Sequence, residues 1–262
     1  MINFFVSLNP FIQALIATLF TWGVTALGAS LVFFFKKENK NILDSMLGLA
    51  AGIMIAASFL SLLSPAIEMC NNLKMITWLV TFIGFFSGGL LLFIGDKIFD
   101  RLNKKATTSI KRSLMLIFSI TLHNIPEGLA IGVAFGSVAY GLSHATLNSA
   151  CMLALGIGIQ NFPEGTAVSV PLRRENFSRK KAFFIGQLSG IVEPISGLIG
   201  ALLVLKVRLL LPYLLSFAAG AMIYVVIEEL IPESQSNEKK DLMALFSIIG
   251  FSIMMILDIA LG

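Results

Sequence analysis

The sequence predicts an all-α polytopic membrane protein of eight transmembrane helices in an inverted 3+2+3 bundle, with both termini outside. Three observations predict it: an apolar composition, eight apolar runs divided by short polar breaks, and two pairs of self-similar segments in runs of opposite sense. Hydrophobic residues make up 56% of the 262 residues and charged residues only 13%, whereas a soluble domain carries about 25% charged residues. Runs of about 20 apolar residues suffice to cross the hydrocarbon core of a bilayer.

The runs fall near residues 10–35, 45–66, 75–98, 114–137, 143–170, 182–205, 209–231 and 241–261. The breaks leave no room for a soluble domain, so residues 1–262 read as one membrane domain. No basic residue precedes the first run, which therefore reads as a retained helix and not as a cleaved signal peptide. Sixteen Lys and Arg residues lie in the breaks after runs 1, 3, 5 and 7, against Lys74, Lys206 and Arg208 on the other side. Short cytoplasmic loops collect basic residues, which puts both termini outside. The net charge of +4 is then a topology signal, not a nucleic-acid footprint. Cys70 is expected in a loop and Cys151 in a membrane helix, an unpromising pair for a disulfide framework.

Transporters are often built from inverted repeats around a midplane site. His123-Asn124-Ile125-Pro126-Glu127-Gly128 in the fourth run recurs as Gln160-Asn161-Phe162-Pro163-Glu164-Gly165 in the fifth, and consecutive spans run in opposite directions. Ala50-Ala51-Gly52-Ile53-Met54-Ile55 in the second run likewise matches Ala218-Ala219-Gly220-Ala221-Met222-Ile223 in the seventh, with Pro65 and Pro232 at similar distances beyond. The pairs suggest runs 1–3 related to runs 6–8, with the motif helices between them. Small-residue packing between helices is the plainer account of the Ala-Ala-Gly match.

Residues one helical turn apart share a face, so His123, Asn124 and Glu127 form one ligand patch and Gln160, Asn161 and Glu164 another. Each glutamate sits between the other two and is placed to bridge two metal ions. Pro126 and Pro163 each remove an amide donor and free the carbonyl four residues earlier. A carboxylate at the bilayer centre costs about 2.5–3.5 kcal/mol, and Glu127, Glu164, Glu193, Glu228, Glu229 and Asp258 all fall in apolar runs. No lysine or arginine lies among them, so bound cations or protons must neutralise the set. Imidazole, amide and carboxylate together suit zinc, iron, manganese or cadmium better than calcium or magnesium. Glu193, before Pro194, reads either as a metal ligand or as support for a kink. Met54 is by default a packing residue. Glu228 and Glu229 read as an exit pathway or as a solvated helix end.

At these residues the chain resembles the ZIP (Zrt-, Irt-like) family of metal transporters, particularly its GufA-like prokaryotic branch. His123 to Gly128 is similar to that family's helix-4 signature and Gln160 to Gly165 to its helix-5 signature. The resemblance covers essentially the whole chain and implies a single transport domain in the cell (inner) membrane, assembled as a homodimer, with alternating access moving metal toward the cytoplasm. It further implies one site of His123, Glu127, Gln160 and Glu164 with Met54, and an adjacent site of Asn124, Glu127, Asn161, Glu164 and Glu193. This chain has no histidine in its 99–113 segment, and it carries amides at Gln160 and Asn161 where some relatives carry histidine and aspartate. Divalent metal is thus expected as cargo, with no prosthetic cofactor. The rivals are a passive cation channel, an intramembrane metalloenzyme and a sensor; the His-Glu-x-x-His zincin pattern and a P-loop are both absent from the sequence.

Overall fold

Burying a backbone amide in lipid without a partner costs several kcal/mol, so a lipid-solvated chain closes its hydrogen bonds within helices. The computed structural model describes residues 5–34, 40–102, 108–139, 146–170, 172, 177–206 and 208–261, and among these it is helical with no strand. Among the described residues, eight long helical segments follow one another. α1 is Pro10–Ser30, prolonged by a tighter turn Leu31–Phe33. α2 spans Lys40–Asn72, α3 Thr77–Leu102, α4 Thr108–Ala139 and α5 Leu147–Ser169. α6 spans Arg179–Leu203, α7 Leu211–Gln235 and α8 Lys240–Ala260.

Local chemistry sets several of the ends. Asn9 accepts the amide of Phe11 at 2.9 Å in front of Pro10, a position where the missing proline N–H breaks no bond. Thr146 accepts from Ser149 N ahead of α5, and Ser178 from Lys181 N ahead of α6. α2 runs past the expected residue 66, and Cys70, expected in a loop, is buried in its last turns. The reason is a π-helical stretch, Ala57–Leu63, directly before Pro65. Its wider turn absorbs the hydrogen bond that proline would otherwise break. α7 repeats the device, with π-helical Val226–Leu230 before Pro232. The expected start of the fifth helix at 143 lies outside the described residues.

Six of these helices, α1, α2, α3, α6, α7 and α8, are long and apolar enough to cross a membrane. α4 and α5 are the two that carry the duplicated polar motif. They are sheltered by their neighbours instead: 15 of the 23 residues of α5 are buried, against 17% of the corresponding window of α8. The outer surface is apolar, with Trp78, Phe82 and Phe86 of α3 and Ile248 and Ile259 of α8 exposed.

The most extensive packing pairs are α4 with α6, α1 with α5, α3 with α7 and α2 with α8. α1 also packs on α4 and α6, so α1, α4, α5 and α6 form one group. This group meets the other helices through α4 against α7 and α5 against α2. Exchanging α1 with α6, α2 with α7, α3 with α8 and α4 with α5 turns α4–α6 into α5–α1, α3–α7 into α8–α2 and α4–α7 into α5–α2.

The correspondence extends to single atoms. Gly52 of α2 lies against the carbonyl of Ser247, and Gly220 of α7 against that of Phe85. Gly88 of α3 lies against the carbonyl of Phe217, and Gly250 of α8 against that of Leu49. Two constant shifts relate the four contacts: 168 residues takes 49 to 217 and 52 to 220, and 162 residues takes 85 to 247 and 88 to 250. A Cβ at any of the four would overlap a backbone oxygen, so glycine is what lets these backbones touch.

Substituting valine at Gly88 or Gly250 overpacks a backbone contact and is expected to destabilise the protein by about 1–3 kcal/mol. Thermal unfolding in detergent should show matching losses for the two variants; a loss confined to one of them would contradict the equivalence.

Candidate metal centre

The motif glycines place the centre. Gly128 lies against the backbone of Glu193 and the hydroxyl of Ser196 on α6, and Gly165 against the backbone of Thr25 and Ala29 on α1. The turn carrying Glu127 is thereby pressed onto Glu193, and the turn carrying Glu164 onto Thr25. The same renumbering that relates α2 to α7 takes Thr25 to Glu193 and Thr21 to Ser189.

Asn124, Glu127, Gln160, Asn161, Glu164 and Glu193 converge, none more than 1% exposed. Gln160 Nε2 donates to Glu127 Oε1 and links the two motif helices. Asn124 Nδ2 donates to the carbonyl of Ser189 at 2.9 Å, and Asn161 Nδ2 reaches the carbonyl of Thr21 at 3.4 Å. These are equivalent bonds in the two halves. Each fixes an asparagine by its amide nitrogen and leaves its carbonyl oxygen unengaged.

At Glu193 the equivalence ends. Its carboxylate accepts from Thr21 Oγ1 and, at 2.9 Å, from Asn161 Nδ2, with Thr25 Oγ1 at 3.5 Å. Gly190 makes room for it, since a Cβ there would stand 3.1 Å from Glu193 Oε1. Glu127, Glu164 and Glu193 are close enough to repel one another as like charges.

Buried acceptor atoms without a hydrogen-bond donor gather here, Asn124 Oδ1, Glu127 Oε2, Gln160 Oε1 and Asn161 Oδ1 among them. Buried polar atoms are nearly always paired, and a concentration of oxygens without donors beside like-charged carboxylates is an environment for a cation. Among the described residues, acidic, histidine and cysteine side chains do not by themselves close a three-ligand cage. The amide oxygens are what fill out the acceptor set. His123 lies on α4, with its side chain outside the described residues.

Met54 is fully buried on α2, which packs on α5, and its carbonyl accepts from Ser58 Oγ. Glu228 and Glu229 stand apart from the centre in the π-helical part of α7, Glu228 exposed. Asp96 of α3 hydrogen-bonds Tyr224 of α7 near them. Asp258 of α8 accepts from Ser61 Oγ of α2 at 2.7 Å. The renumbering that takes Gly88 to Gly250 also takes Asp96 to Asp258.

Sequence reasoning passed over Thr21 and Thr25. Their signal was present: Thr18, Thr21 and Thr25 stand three and four residues apart in an otherwise apolar helix, and all three are buried.

Membrane-length helices closed around buried, donor-poor oxygens define a membrane protein that handles cations. Comparison with known proteins is specific. The family profile described as ZIP Zinc transporter matches residues 100–258. Zinc transporter ZIP11 of Bos taurus is 39% identical, covering 97% of this chain and 98% of its own length. Zinc transporter ZupT of Streptococcus mutans serotype c is 34% identical over 90% of this chain and 92% of its own, and zinc transporter GufA of Myxococcus xanthus 33% identical over 95% and 98%. The chain belongs to the ZIP family of transporters.

With zinc at about 100 times its Kd, a bound ion adds about 2.7 kcal/mol to folding stability. The wild-type protein should show that gain in thermal unfolding. A Glu127→Gln, Glu164→Gln double variant is expected to lose it, and to be at least as stable as wild type without metal because like charges are removed.

Proposed function

We propose that the protein carries zinc, and with it cadmium, iron and manganese as competing divalent cargo, from outside into the cytoplasm by alternating access. It is a transporter and not an enzyme. The observation that carries this reading is the set of buried oxygens on α4 and α5 that no donor satisfies, in a chain of the ZIP family. The first position would use His123, Glu127, Gln160 and Glu164, with Met54 from α2. Its neighbour would use Asn124, Glu127, Asn161, Glu164 and Glu193.

Zinc takes nitrogen and carboxylate oxygen readily, and carbonyl oxygens of Gln160 and the asparagines complete a mixed set without adding charge. The first position, which has the imidazole, therefore holds cargo dependably, and the neighbour, built from oxygens alone and with an amide at Asn161 where some relatives carry aspartate, holds it weakly. No single face of the bundle exposes the centre, so passage requires the helix group that carries it to move against the others. The surfaces that would slide are α4 on α7 and α5 on α2. Glu228 and Glu229 would receive the ion on the inner side.

The exchange of contacts between α1–α3 and α6–α8 supports an inverted 3+2+3 arrangement of eight spans in one transport domain. The distribution of basic residues supports exterior termini, and the bacterial relatives ZupT and GufA support the cell (inner) membrane. α3 and α8, the least covered helices, offer apolar surface to lipid and to a second copy in a homodimer.

In proteoliposomes the wild-type protein should take up zinc with saturable kinetics. Glu127→Ala and Glu164→Ala should each lower the rate at least a hundredfold, the loss of about 2.7 kcal/mol or more for a ligand removed from a buried charged site. Uptake at the wild-type rate in either folded variant would show that the centre is elsewhere. Unitary currents would convert the reading to a channel.

A further inference from the structure

Glu193 differs from Glu127 in one respect: both of its oxygens are already engaged. Thr21 Oγ1 holds Oε2, while Asn161 Nδ2 at 2.9 Å and Thr25 Oγ1 at 3.5 Å hold Oε1. Glu127, by contrast, keeps Oε2 without a partner. A cation that binds Glu193 through the lone pairs these donors occupy displaces them.

Displacing a buried donor ordinarily leaves it unsatisfied, at a cost of about 1–3 kcal/mol. Here each donor has a second acceptor on α1. Thr21 Oγ1 lies 3.0 Å from the carbonyl of Thr18, Thr25 Oγ1 lies 3.2 Å from the carbonyl of Thr21, and Asn161 Nδ2 lies 3.4 Å from that same carbonyl. A hydroxyl has one proton to donate, so Thr21 and Thr25 choose between Glu193 and their own helix. The choice is available because threonine bonds the carbonyl three or four residues back without leaving the helix.

We infer that Thr21 and Thr25 are positioning residues that hold the Glu193 carboxylate between ions and hand it to an arriving divalent cation by turning their hydroxyl protons back to the α1 carbonyls. The inference rests on the reading of Glu193 as a metal ligand. Its consequence is competition: the hydroxyls oppose cargo at the weaker position and so speed its departure. A ligand that is recaptured by donors releases its ion faster than one left bare.

The test is a cycle of Thr21→Val, Thr21→Ser, Glu193→Gln and the Thr21→Val, Glu193→Gln double variant, with zinc titrated to purified protein and zinc uptake measured in proteoliposomes. Valine keeps the shape of threonine and removes the proton. Thr21→Val should bind zinc about fivefold to tenfold more tightly, with a lower KM and a maximal rate reduced by a similar factor, as expected for one charge-assisted hydrogen bond. Thr21→Ser should stay within about twofold of wild type, and in the Glu193→Gln background Thr21→Val should change neither quantity. Thr25→Val, whose contact is longer, should move both quantities the same way by about twofold and tests the inference independently of how Thr21→Val folds. Binding that is weaker or unchanged in the valine variants, or an equal effect with and without Glu193, would overturn the inference. If Glu127→Ala and Glu164→Ala abolish uptake while this cycle shows no coupling, the holding role alone fails. If those two variants transport normally, the centre itself is misassigned.

Discussion

Three carboxylates are buried within reach of one another, and their surroundings supply oxygen rather than hydrogen. That imbalance is the constraint on which the rest of the structure depends. Removing a charge from water is expensive, and the stretch 114–170 that carries Glu127 and Glu164 contains no lysine or arginine. Gln160 satisfies one oxygen of Glu127, and α1 satisfies Glu193, but the carbonyl oxygens of both asparagines and of Gln160 add further negative potential. The folded chain therefore carries an electrostatic deficit at its middle that a positive ion corrects.

Holding such a deficit in place demands rigid surroundings, and these are built by backbone contact. Glycines bring α4 onto α6 and α5 onto α1 closely enough for Asn124 and Asn161 to reach the carbonyls of Ser189 and Thr21. The asparagine nitrogens serve the architecture and their oxygens the centre. The two halves repeat this plan and diverge at particular positions, among them His123 against Gln160 in the motif and Thr25 on α1 against Glu193 on α6. The second of these gives the centre a third carboxylate on one side and, on the other, a hydroxyl that restrains it.

Much of this was legible in the chain itself. The duplicated Asn-x-Pro-Glu-Gly frame located α4 and α5 because residues three and four apart must share a face, and the Ala-Ala-Gly match in α2 and α7 holds glycines that each lie against a backbone carbonyl of a neighbouring helix. What could not be read was anything set by contacts between distant segments. Pro65 and Pro232 look like helix ends in sequence, yet the π-helical turns ahead of them carry the helices onward. Cys70 consequently lies inside a helix and not in a loop. Asp96 and Asp258 drew no attention as a pair, because α3 and α8 share little beyond a glycine eight residues before each aspartate. Thr21 and Thr25 were lost among apolar neighbours, since only the fold brings α6 beside them.

The repeated glycine contacts also bear on how the chain finds its direction during synthesis. Interfaces that recur under exchange of the two halves contain no instruction about which face of the membrane is which. The exposed middles of the outer helices are similarly neutral, being mostly apolar. Vectorial information must then reside almost wholly in the connecting segments, where the basic residues are concentrated. A protein of this kind separates its assembly code from its address, so its orientation can be rewritten in evolution or by design through a few surface charges, leaving the packed interior untouched.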